Sequence, residues 1–461
     1  MPIPIKKSPL IHLYIFTVFF CLYSNAEKPN IVFILADDLG YGDIHVYNPE
    51  GKIDTPHLDK FAAEGMLFTD AHSGGATCVP SRYALLNGRF AARAELKVRE
   101  GPTTSNGQWT IAALLQSNGY ETAMVGKWHQ GFDMVQQSKG PAAFDYSKPI
   151  TGGPVDRGFD TYFGMHASLD IPPYFYIQNR TTTSAPTETI EAKTSEGSPE
   201  GWNRIQGAFW REGLIGNDFV HEEVTPRFLQ EANQVLENYS SRDTQKPLFL
   251  YLALPSPHTP WLPIQAFQGK SRVGMYGDFV MQVDATVGNL LKTLERTGLA
   301  KDTLVIFSSD NGPVWYEENT THFEHSAAGS LRGKKATLWE GAHRVPFIVR
   351  WPGTIKAGVS NDHTISFVDV FATFSELLGL DKVPEGSAQD SVSFYGALHG
   401  KPLAQRPPII HDKNSIRVGD WKLNLPRGGR RASEGELYNL KKDLSETDNL
   451  YSKPLLSKIT F

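Results

Sequence analysis

Cysteine is almost absent from this chain of 461 residues, which contains only Cys21 and Cys78. Cys21 lies in an N-terminal segment that predicts a cleaved secretory signal, so we expect the mature chain to keep Cys78 alone. A disulfide within the mature chain is then excluded, although exported proteins often have them. We expect a hydrophobic core to stabilise the fold instead. A single unpaired cysteine in this setting indicates a chemical role.

Long apolar runs are also absent beyond the N-terminus. Residues 1–26 begin with two lysines and continue with the apolar stretch Ile11–Tyr23, which is too short to span a bilayer. Ser24-Asn25-Ala26 supplies the small residues that a signal peptidase recognises. These features predict an exported protein, periplasmic or secreted, with no stable insertion in the membrane.

The chain has no excess of positive charge. Its formal net charge is −5, and loss of Lys6 and Lys7 with the signal would lower it by two more. An acidic surface of this kind disfavours nucleic acid as a partner. Any anionic substrate must therefore be met by a local cluster of cations.

Short β-rich runs alternate with helical patterns, which is typical of an α/β domain. Continuous apolar runs predict buried strands, and one-sided apolar stripes predict helices. In chain order, the predicted elements are a strand at 30–36, a helix from Thr55-Pro56 to Gly65, a helix at 110–117, strands at 120–125 and 248–254, a helix with its apolar face over 280–294, a strand at 303–308, a helix at 367–378, and antiparallel strands within 415–423 and 436–440.

Changes in composition predict the domain boundaries. After the signal peptide at 1–26, we predict a catalytic domain over 27–399 and a small antiparallel C-terminal subdomain over 400–461. Residues 135–245 are rich in glycine, proline, threonine, serine and aromatic residues. We interpret them as a variable insertion that sets specificity, with a polar loop at 181–201.

Acidic and amide side chains follow two of the predicted strands. Asp37 and Asp38 come after the first strand, and Asp310 and Asn311 come after the strand at 303–308. Functional groups in α/β sheets gather at the carboxyl ends of strands, and an all-oxygen set suits Ca²⁺ or Mg²⁺. Helix capping is the alternative for Asp37-Asp38 taken alone. Four such groups at two strand ends favour a metal site.

The run Cys78-Val79-Pro80-Ser81-Arg82 resembles the signature of the type I sulfatases. In that family a formylglycine-generating enzyme oxidises the cysteine to formylglycine, whose hydrate attacks sulfate esters. The core pattern Cys-x-Pro-x-Arg is intact. Val79 and Asn87 depart from the commoner residues, and neither departure removes a group that the chemistry needs.

Three further segments resemble motifs of the same family, in the family's order. The run Gly119–His129 matches the second signature and contributes Lys127 and His129. Pro257-His258-Thr259-Pro260 follows a predicted strand. The run Leu331–Pro346 resembles the segment with a substrate-facing lysine, and the register against Glu340-Gly341 assigns that lysine to Lys335 and not to Lys334.

The resemblance covers residues from about 30 to 450 and implies the alkaline-phosphatase-like fold, a large mixed β-sheet flanked by helices with a small C-terminal antiparallel subdomain. It also implies one Ca²⁺ ion as cofactor besides the formylglycine. The metal ligands that it implies are Asp37, Asp38, Cys78, Asp310 and Asn311, and the catalytic residues are Cys78, Arg82, Lys127, His129, His258 and Lys335.

The implied reaction proceeds in two stages. One hydroxyl of the aldehyde hydrate at residue 78 attacks sulfur, activated by the metal and Asp310, while His258 or Lys335 protonates the departing alcohol. His129 then deprotonates the second hydroxyl, so that sulfate leaves and the aldehyde returns. The cations neutralise the sulfate oxygens, and a helix that starts near Cys78 favours an anion at its N-terminus.

Substrate choice is less constrained by these motifs. We name four candidate substrate-binding residues, His166, Asp170, His322 and His325. Export favours a sulfated oligosaccharide or glycan as the substrate. The nearest alternative is a phosphonate or phosphate ester hydrolase on the same scaffold, since both anions are tetrahedral. A catalytically silent, lectin-like protein that binds sulfated glycans is the alternative from a different class.

Overall fold

A ten-stranded mixed sheet forms the centre of the computed structural model, which describes residues 1, 28–136, 144–426 and 434–452. All but the first residue of the predicted signal peptide lies outside the described residues. Across the sheet the strands are β13 (Val359–Asn361), β2 (Met66–Phe68), β12 (Phe347–Arg350), β11 (Thr303–Ser309), β1 (Asn30–Asp37), β10 (Leu248–Pro257), β4 (Glu121–Lys127), β5 (Thr161–Met165), β6 (Ile177–Gln178) and β7 (Thr181–Thr182).

The middle of the sheet is parallel. β1 pairs in parallel with β11 on one side and with β10 on the other, and β10 continues in parallel to β4. Every residue of β1, β10 and β11 is buried, as expected for strands covered on both faces. The carboxyl ends of these strands therefore lie at one edge of the sheet, where loops can bring side chains together.

Helices cover both faces of the sheet. They are α1 (Pro56–Ala63), α2 (Cys78–Asn87), α3 (Ile111–Ser117), α4 (Val224–Ser240), α5 (Gly274–Arg296), α6 (Glu317–Phe323), α7 (Asp369–Leu377) and α8 (Tyr395–Leu398). Val32 and Ile34 of β1 pack towards α1, α4 and α5, whereas Ile31, Phe33 and Leu35 pack towards α2, α3 and α7. This alternation follows from the two-residue period of a strand.

A separate four-stranded antiparallel sheet lies towards the C-terminus. A buried ammonium fastens it to the main body, since Lys422 Nζ lies 3.0 Å from Glu340 Oε1 and 2.9 Å from Glu446 Oε1. Its strands, in order, are β15 (Ile409–Asp412), β16 (Ser415–Val418), β17 (Trp421–Asn424) and β18 (Glu436–Asn439). Two smaller sheets have two strands each. One pairs β14 (Ile365–Ser366) with β3 (Ala71–His72), and the other pairs β8 (Glu188–Ile190) with β9 (Gly213–Ile215).

The predicted α/β class, with a large mixed sheet and a small antiparallel C-terminal sheet, is confirmed. Residues 415–423 form a hairpin of two strands, because Gly419, with a φ of 56°, turns the chain back. The predicted polar loop at 181–201 contains β7 and β8, so it is wrong as a stretch without strands. The division of the chain into domains stays a prediction.

The predicted insertion at 135–245 shares elements with the main fold. β5 pairs in parallel with β4, and α4 packs against β10. The part of this segment that remains outside the main sheet includes the β8–β9 pair. Among the described residues, no helix combines the length and apolar character needed to cross a membrane.

Candidate active site

Four polar side chains meet where β1 and β11 end. Asp37 is the last residue of β1, and Asp38 follows it with a φ of 63°. Asp310 and Asn311 follow β11, the neighbour of β1. The Asp38 backbone N–H donates to Asp310 Oδ1 at 3.2 Å, and Asn311 Nδ2 donates to Asp38 Oδ1 at 2.7 Å. The structure thus brings together the oxygen groups that the strand pattern predicted.

Cys78 lies at the N-terminus of α2 and faces this acidic cluster. The chain is extended at Thr77 and becomes helical at Cys78, and Gly88 ends the helix with a φ of 63°. Cys78 Sγ lies 3.3 Å from Asp37 Oδ1 and is only 4% exposed as a residue. Burial, followed by the Asp310 and Asp37 carboxylates, raises the pKa of the Cys78 thiol, so the unmodified side chain holds its proton at neutral pH.

Three cations neutralise the three carboxylates. Arg82, one turn along α2, donates from Nε to Asp310 Oδ2 at 2.9 Å. Lys127, the last residue of β4, contacts Asp37. The third cation is Lys335, whose Nζ lies 2.7 Å from Asp38 Oδ1 and 3.4 Å from Cys78 Sγ.

Burial and the neighbouring charges shift the pKa values of two buried carboxylates, Asp37 and Asp310, in opposite directions. Burial alone would raise the pKa of Asp37, but Lys127 first, and then His258, Arg82 and Lys335, hold it well below its usual value. Burial and Asp37 together raise the pKa of Asp310 to about 6, against the opposing effect of Arg82. Asp37 is therefore the firmly ionised member of this cluster.

Two histidines border the cluster. His258 follows β10, and its Nε2 lies 3.6 Å from Asp38 Oδ2. Its Nδ1 lies 2.6 Å from the Thr259 carbonyl, which assigns the ring proton to Nδ1. His129 follows β4 with a φ of 52°, and its Nδ1 is buried without a hydrogen-bond partner. Burial and then Lys127 hold the pKa of His129 well below its usual value, so the ring is neutral.

The residues present fit a hard divalent cation. Ligand atoms of Asp37, Asp38, Cys78 and His258 all lie within 4.8 Å of one another. Asn311 Oδ1 is buried without a hydrogen-bond partner, as a metal ligand would be in the absence of its ion. Carboxylate and amide oxygens are the ligands that Ca²⁺ prefers.

One of the four predicted substrate-binding residues lies next to this cluster. Asp170 Oδ1 lies 3.9 Å from His258 Nδ1 and has no hydrogen-bond partner, while Oδ2 pairs with Arg211. Sequence reasoning missed Arg211, because it lies in none of the recognised motifs. Only its spatial pairing with Asp170 reveals it.

The other three predicted substrate-binding residues have contacts elsewhere. His166 Nε2 lies 2.8 Å from the Pro173 carbonyl, and its ring stacks on Phe175. His325 is buried and pairs with Asp43 at 2.9 Å. His322 is exposed on α6, with its ring edge-on to Phe323. Asp170 is therefore the one of the four whose side chain borders the carboxylate cluster, and substrate binding by the other three stays a prediction.

Comparisons with known proteins agree with this geometry. A family model described as Sulfatase matches residues 29–380. The chain is 31% identical over 479 residues to an N-acetylgalactosamine-6-O-sulfatase of Bacteroides thetaiotaomicron, covering 92% of this chain and 90% of that protein.

Two solved structures extend the comparison. One, described under the metabolism of multiple glycosaminoglycans by Bacteroides thetaiotaomicron, has a TM-score of 0.78 and 29% identity, covering 92% of this chain and 96% of that one. Another is i-CgsB in complex with k-i-k-neocarrahexaose, with a TM-score of 0.67 and 27% identity, covering 94% of this chain and 91% of that one.

Proposed function

This chain belongs to the sulfatase family, and we propose that it removes sulfate from a sulfated carbohydrate through a formylglycine at residue 78 with a bound Ca²⁺. The observation that carries the proposal is the position of Cys78 Sγ, 3.3 Å from Asp37 Oδ1 and 3.4 Å from Lys335 Nζ at the start of a helix. A group held there meets both a metal-binding carboxylate cluster and a cation.

Formylglycine would supply what the thiol lacks, an oxygen nucleophile for sulfur and a second hydroxyl from which the aldehyde can re-form. Asp37, Asp38, Asp310 and Asn311 would hold the Ca²⁺, which supplies positive charge beside the nucleophile. Within the cluster, three cations already balance three carboxylates. A divalent ion therefore provides the surplus positive charge that a sulfate ester needs.

The residues of the chain divide the remaining work between binding and proton transfer. Lys335 and the N-terminus of α2 orient the sulfate oxygens, while Arg82 pairs with Asp310 and Lys127 pairs with Asp37. His258 keeps one proton on Nδ1, and a second proton on Nε2, which faces Asp38, is the one that it would donate to the departing alcohol. His129, neutral and unpartnered at Nδ1, accepts the proton when sulfate is released.

We further propose a sugar substrate that carries a 6-O-sulfate on a galactosamine-type ring. The relative with 31% identity is named for that reaction, and the solved structure of i-CgsB contains k-i-k-neocarrahexaose. Asp170 and Arg211 lie on the far side of His258 from the metal-binding carboxylates. Their acceptor and donor suit hydroxyl or amide groups of the sugar.

Export of the protein is part of this proposal. A polymeric glycan is met outside the cytoplasm, and residues 1–26 have the pattern of a secretory signal. Fractionation of cells that make the full chain would locate the protein, and mass spectrometry of the secreted form would identify its first residue. A full-length protein retained in the cytoplasm would contradict this part.

The experiment that tests the reaction measures sulfate release from a panel of sulfated saccharides. The enzyme is produced together with a formylglycine-generating enzyme, and conversion at residue 78 is measured by mass spectrometry. Cys78→Ala should abolish release and leave the melting temperature nearly unchanged, because the lost sulfhydryl is small. Sulfate release by the Ala variant would refute the nucleophile, and a faster reaction on aryl phosphonates would favour the phosphonate alternative.

A further inference from the structure

A buried glutamine side chain lies between the two chain segments that carry the nucleophile and the base of the proposed reaction. Gln130 follows His129 directly, in the loop after β4, and is fully buried. Its Nε2 donates to the Val79 carbonyl at 2.9 Å and to the His129 carbonyl at 3.0 Å. One nitrogen atom therefore joins the residue after Cys78 to the loop that carries His129.

Both N–H groups and the oxygen of this side-chain amide have partners. Thr103 Oγ1 donates to Gln130 Oε1 at 2.6 Å, while the two carbonyls accept from Nε2. Burying an amide is costly unless its polar groups are bonded in this way. Because carbonyls only accept hydrogen bonds, the NH₂ group must face them, and the orientation of the amide is fixed.

The backbone at His129 is held on two sides in a conformation that residues other than glycine rarely adopt, with a φ of 52°. The His129 N–H donates to the His166 carbonyl at 3.0 Å, and the His129 carbonyl accepts from Gln130. A strained conformation persists where the surrounding structure holds it. Loss of the Gln130 amide would therefore remove one of these two restraints on the residue that accepts the proton.

A hydrogen bond from Arg82 also ties α2 to the end of β4. Arg82 Nη1, one turn along the helix from Cys78, donates to the Lys127 carbonyl at 3.0 Å. The same guanidinium pairs with Asp310, so its removal would also change the charge balance of the carboxylate cluster. Gln130 is neutral, and its hydrogen bonds go to two carbonyls and a hydroxyl. Its replacement therefore alters the link between the two segments and leaves the charge of the site unchanged.

We propose that Gln130 is a positioning residue, which holds residue 78 at the start of α2 in register with His129. The inference rests on the proposed function and deepens it, because it assigns the alignment of nucleophile and base to one neutral side chain. Gln130 acts through the backbone carbonyls of Val79 and His129. Without this link the two reacting groups reach a productive geometry less often, so that kcat falls while sulfate binding is retained.

The test compares Gln130→Met, which keeps the length of the side chain and removes its amide, with the matched control Gln282→Met. Gln282 is a buried glutamine on α5, whose Oε1 accepts from the Ile264 N–H at 2.9 Å. With 4-nitrophenyl sulfate, and with rates corrected for conversion at residue 78, we expect Gln130→Met to lower kcat by about tenfold. Its KM should change by less than about twofold, since Lys335 still binds sulfate. The control should keep both values.

A second measurement needs no turnover and uses the protein with Cys78 unmodified. Hydrogen exchange, measured by mass spectrometry, reports how firmly the backbone is held. In Gln130→Met, peptides that cover residues 77–83 and 128–131 should exchange faster by about fivefold, whereas a peptide that covers β16 and β17 should be unchanged. In Gln282→Met, the first two peptides should exchange as in the wild type.

Each outcome decides the proposal. A wild-type kcat in Gln130→Met overturns it, as does wild-type exchange in both segments. Equal loss of kcat in Gln130→Met and Gln282→Met also overturns it, since any buried glutamine would then have the same effect.

If Gln130→Met does not fold, Thr103→Val decides in its place, because it removes the hydroxyl that holds the amide oxygen. A lower kcat together with faster exchange in the 128–131 segment supports the proposal, and a wild-type value of either overturns it. Failure of the wild type to release sulfate from the aryl sulfate and from every saccharide, despite full conversion at residue 78, contradicts the proposed function. Hydrogen exchange on the unmodified protein then still decides whether Gln130 holds the two segments together.

Discussion

Lys335 Nζ lies 3.4 Å from Cys78 Sγ, although the two residues are 257 positions apart in the chain. Its neighbour Lys334 points elsewhere, with its Nζ 4.4 Å from the ring centre of Tyr316. A hydrogen bond fixes the backbone at Lys335 and so helps to direct the two side chains apart, because the Lys335 N–H donates to the Pro313 carbonyl at 2.9 Å. Two adjacent lysines of the same chemistry therefore have different surroundings.

We expect Lys335→Ala to lower kcat/KM for an aryl sulfate by about a hundredfold, because it removes a cation from the site where sulfate oxygens bind. The matched control is Lys334→Ala. It should cost about threefold or less, because the half-buried Lys334 ammonium faces the Tyr316 ring and not the reacting group. Steady-state kinetics on the two purified variants decide between them. A larger loss in the Lys334 variant would show that the assignment of Lys335 is off by one residue.

Ca²⁺ binding can be measured without any turnover. If the oxygen cluster holds Ca²⁺, adding the ion at a hundred times its Kd should stabilise the fold by about 2.7 kcal/mol. Asn311→Ala should reduce this Ca²⁺-dependent rise in melting temperature, since the amide oxygen is buried and has no partner within the protein. Thermal unfolding with Ca²⁺, with Mg²⁺ and with a chelator is the measurement. Identical curves for wild type in all three, after prolonged chelation, would count against the metal site.

The Asp170–Arg211 pair separates binding of the sugar from cleavage of the ester. Arg211→Ala should lower kcat/KM on the sulfated saccharide by about tenfold, the loss of one charge-assisted hydrogen bond, and should leave the rate on 4-nitrophenyl sulfate nearly unchanged. Arg211→Lys keeps the charge and should restore part of the loss. Equal losses on both substrates would assign the pair a purely structural role.

The arrangement of the oxygen cluster could be predicted from the sequence, whereas the contacts of single histidines could not. Asp37 and Asp310 follow apolar runs, and parallel strands must end at the same edge of a sheet. His325 looks equally reactive in the sequence, but it is buried against Asp43. No local sequence pattern indicates which side chains of a loop are buried.

Long-range polar pairs are equally hidden from sequence patterns. The Asp170–Arg211 pair joins residues 41 positions apart, across three short strands and the loops between them, where no single period relates the two. The Lys422–Glu340 pair, which fastens the C-terminal sheet, spans 82 positions. Such pairs depend on how the chain closes on itself in space, which hydrophobic periodicity constrains only loosely.

Three buried histidines lie between the main body and the C-terminal sheet. His411 on β15 stacks on His343, with ring centres 3.5 Å apart. The ring centre of His72 lies 5.0 Å from that of His411. Both ring nitrogens of His411 are buried without partners. Lys422 and Arg417 contact the other two rings, so cations already face this cluster and disfavour a metal ion there.

Acid should weaken this junction. Burial lowers the pKa of His72, His343 and His411, with neighbouring charges adding to it for the last two. Below the ordinary histidine pKa of about 6.5, these three histidines bind protons in the unfolded chain but stay neutral in the folded chain. Stability is therefore complete above that pH and is lost as the pH falls, by up to about 1.4 kcal/mol per pH unit for each histidine that stays neutral in the fold. Asp70 and Glu340 face the same cluster and oppose this effect only in part.

The substitution His411→Phe tests this account, because phenylalanine keeps the stacked ring and removes both unpartnered nitrogens. We expect the variant to lose less stability than the wild type between pH 7.5 and pH 5, as measured by urea unfolding at each pH. His45, whose ring is half exposed and whose Nδ1 pairs with Asp59 at 3.3 Å, provides the matched control His45→Phe. That control should keep the slope of the wild type, since the His45 ring is half exposed and lies outside the buried histidine cluster. An unchanged slope in the His411→Phe variant would show that this ring does not contribute to the acid sensitivity of the junction.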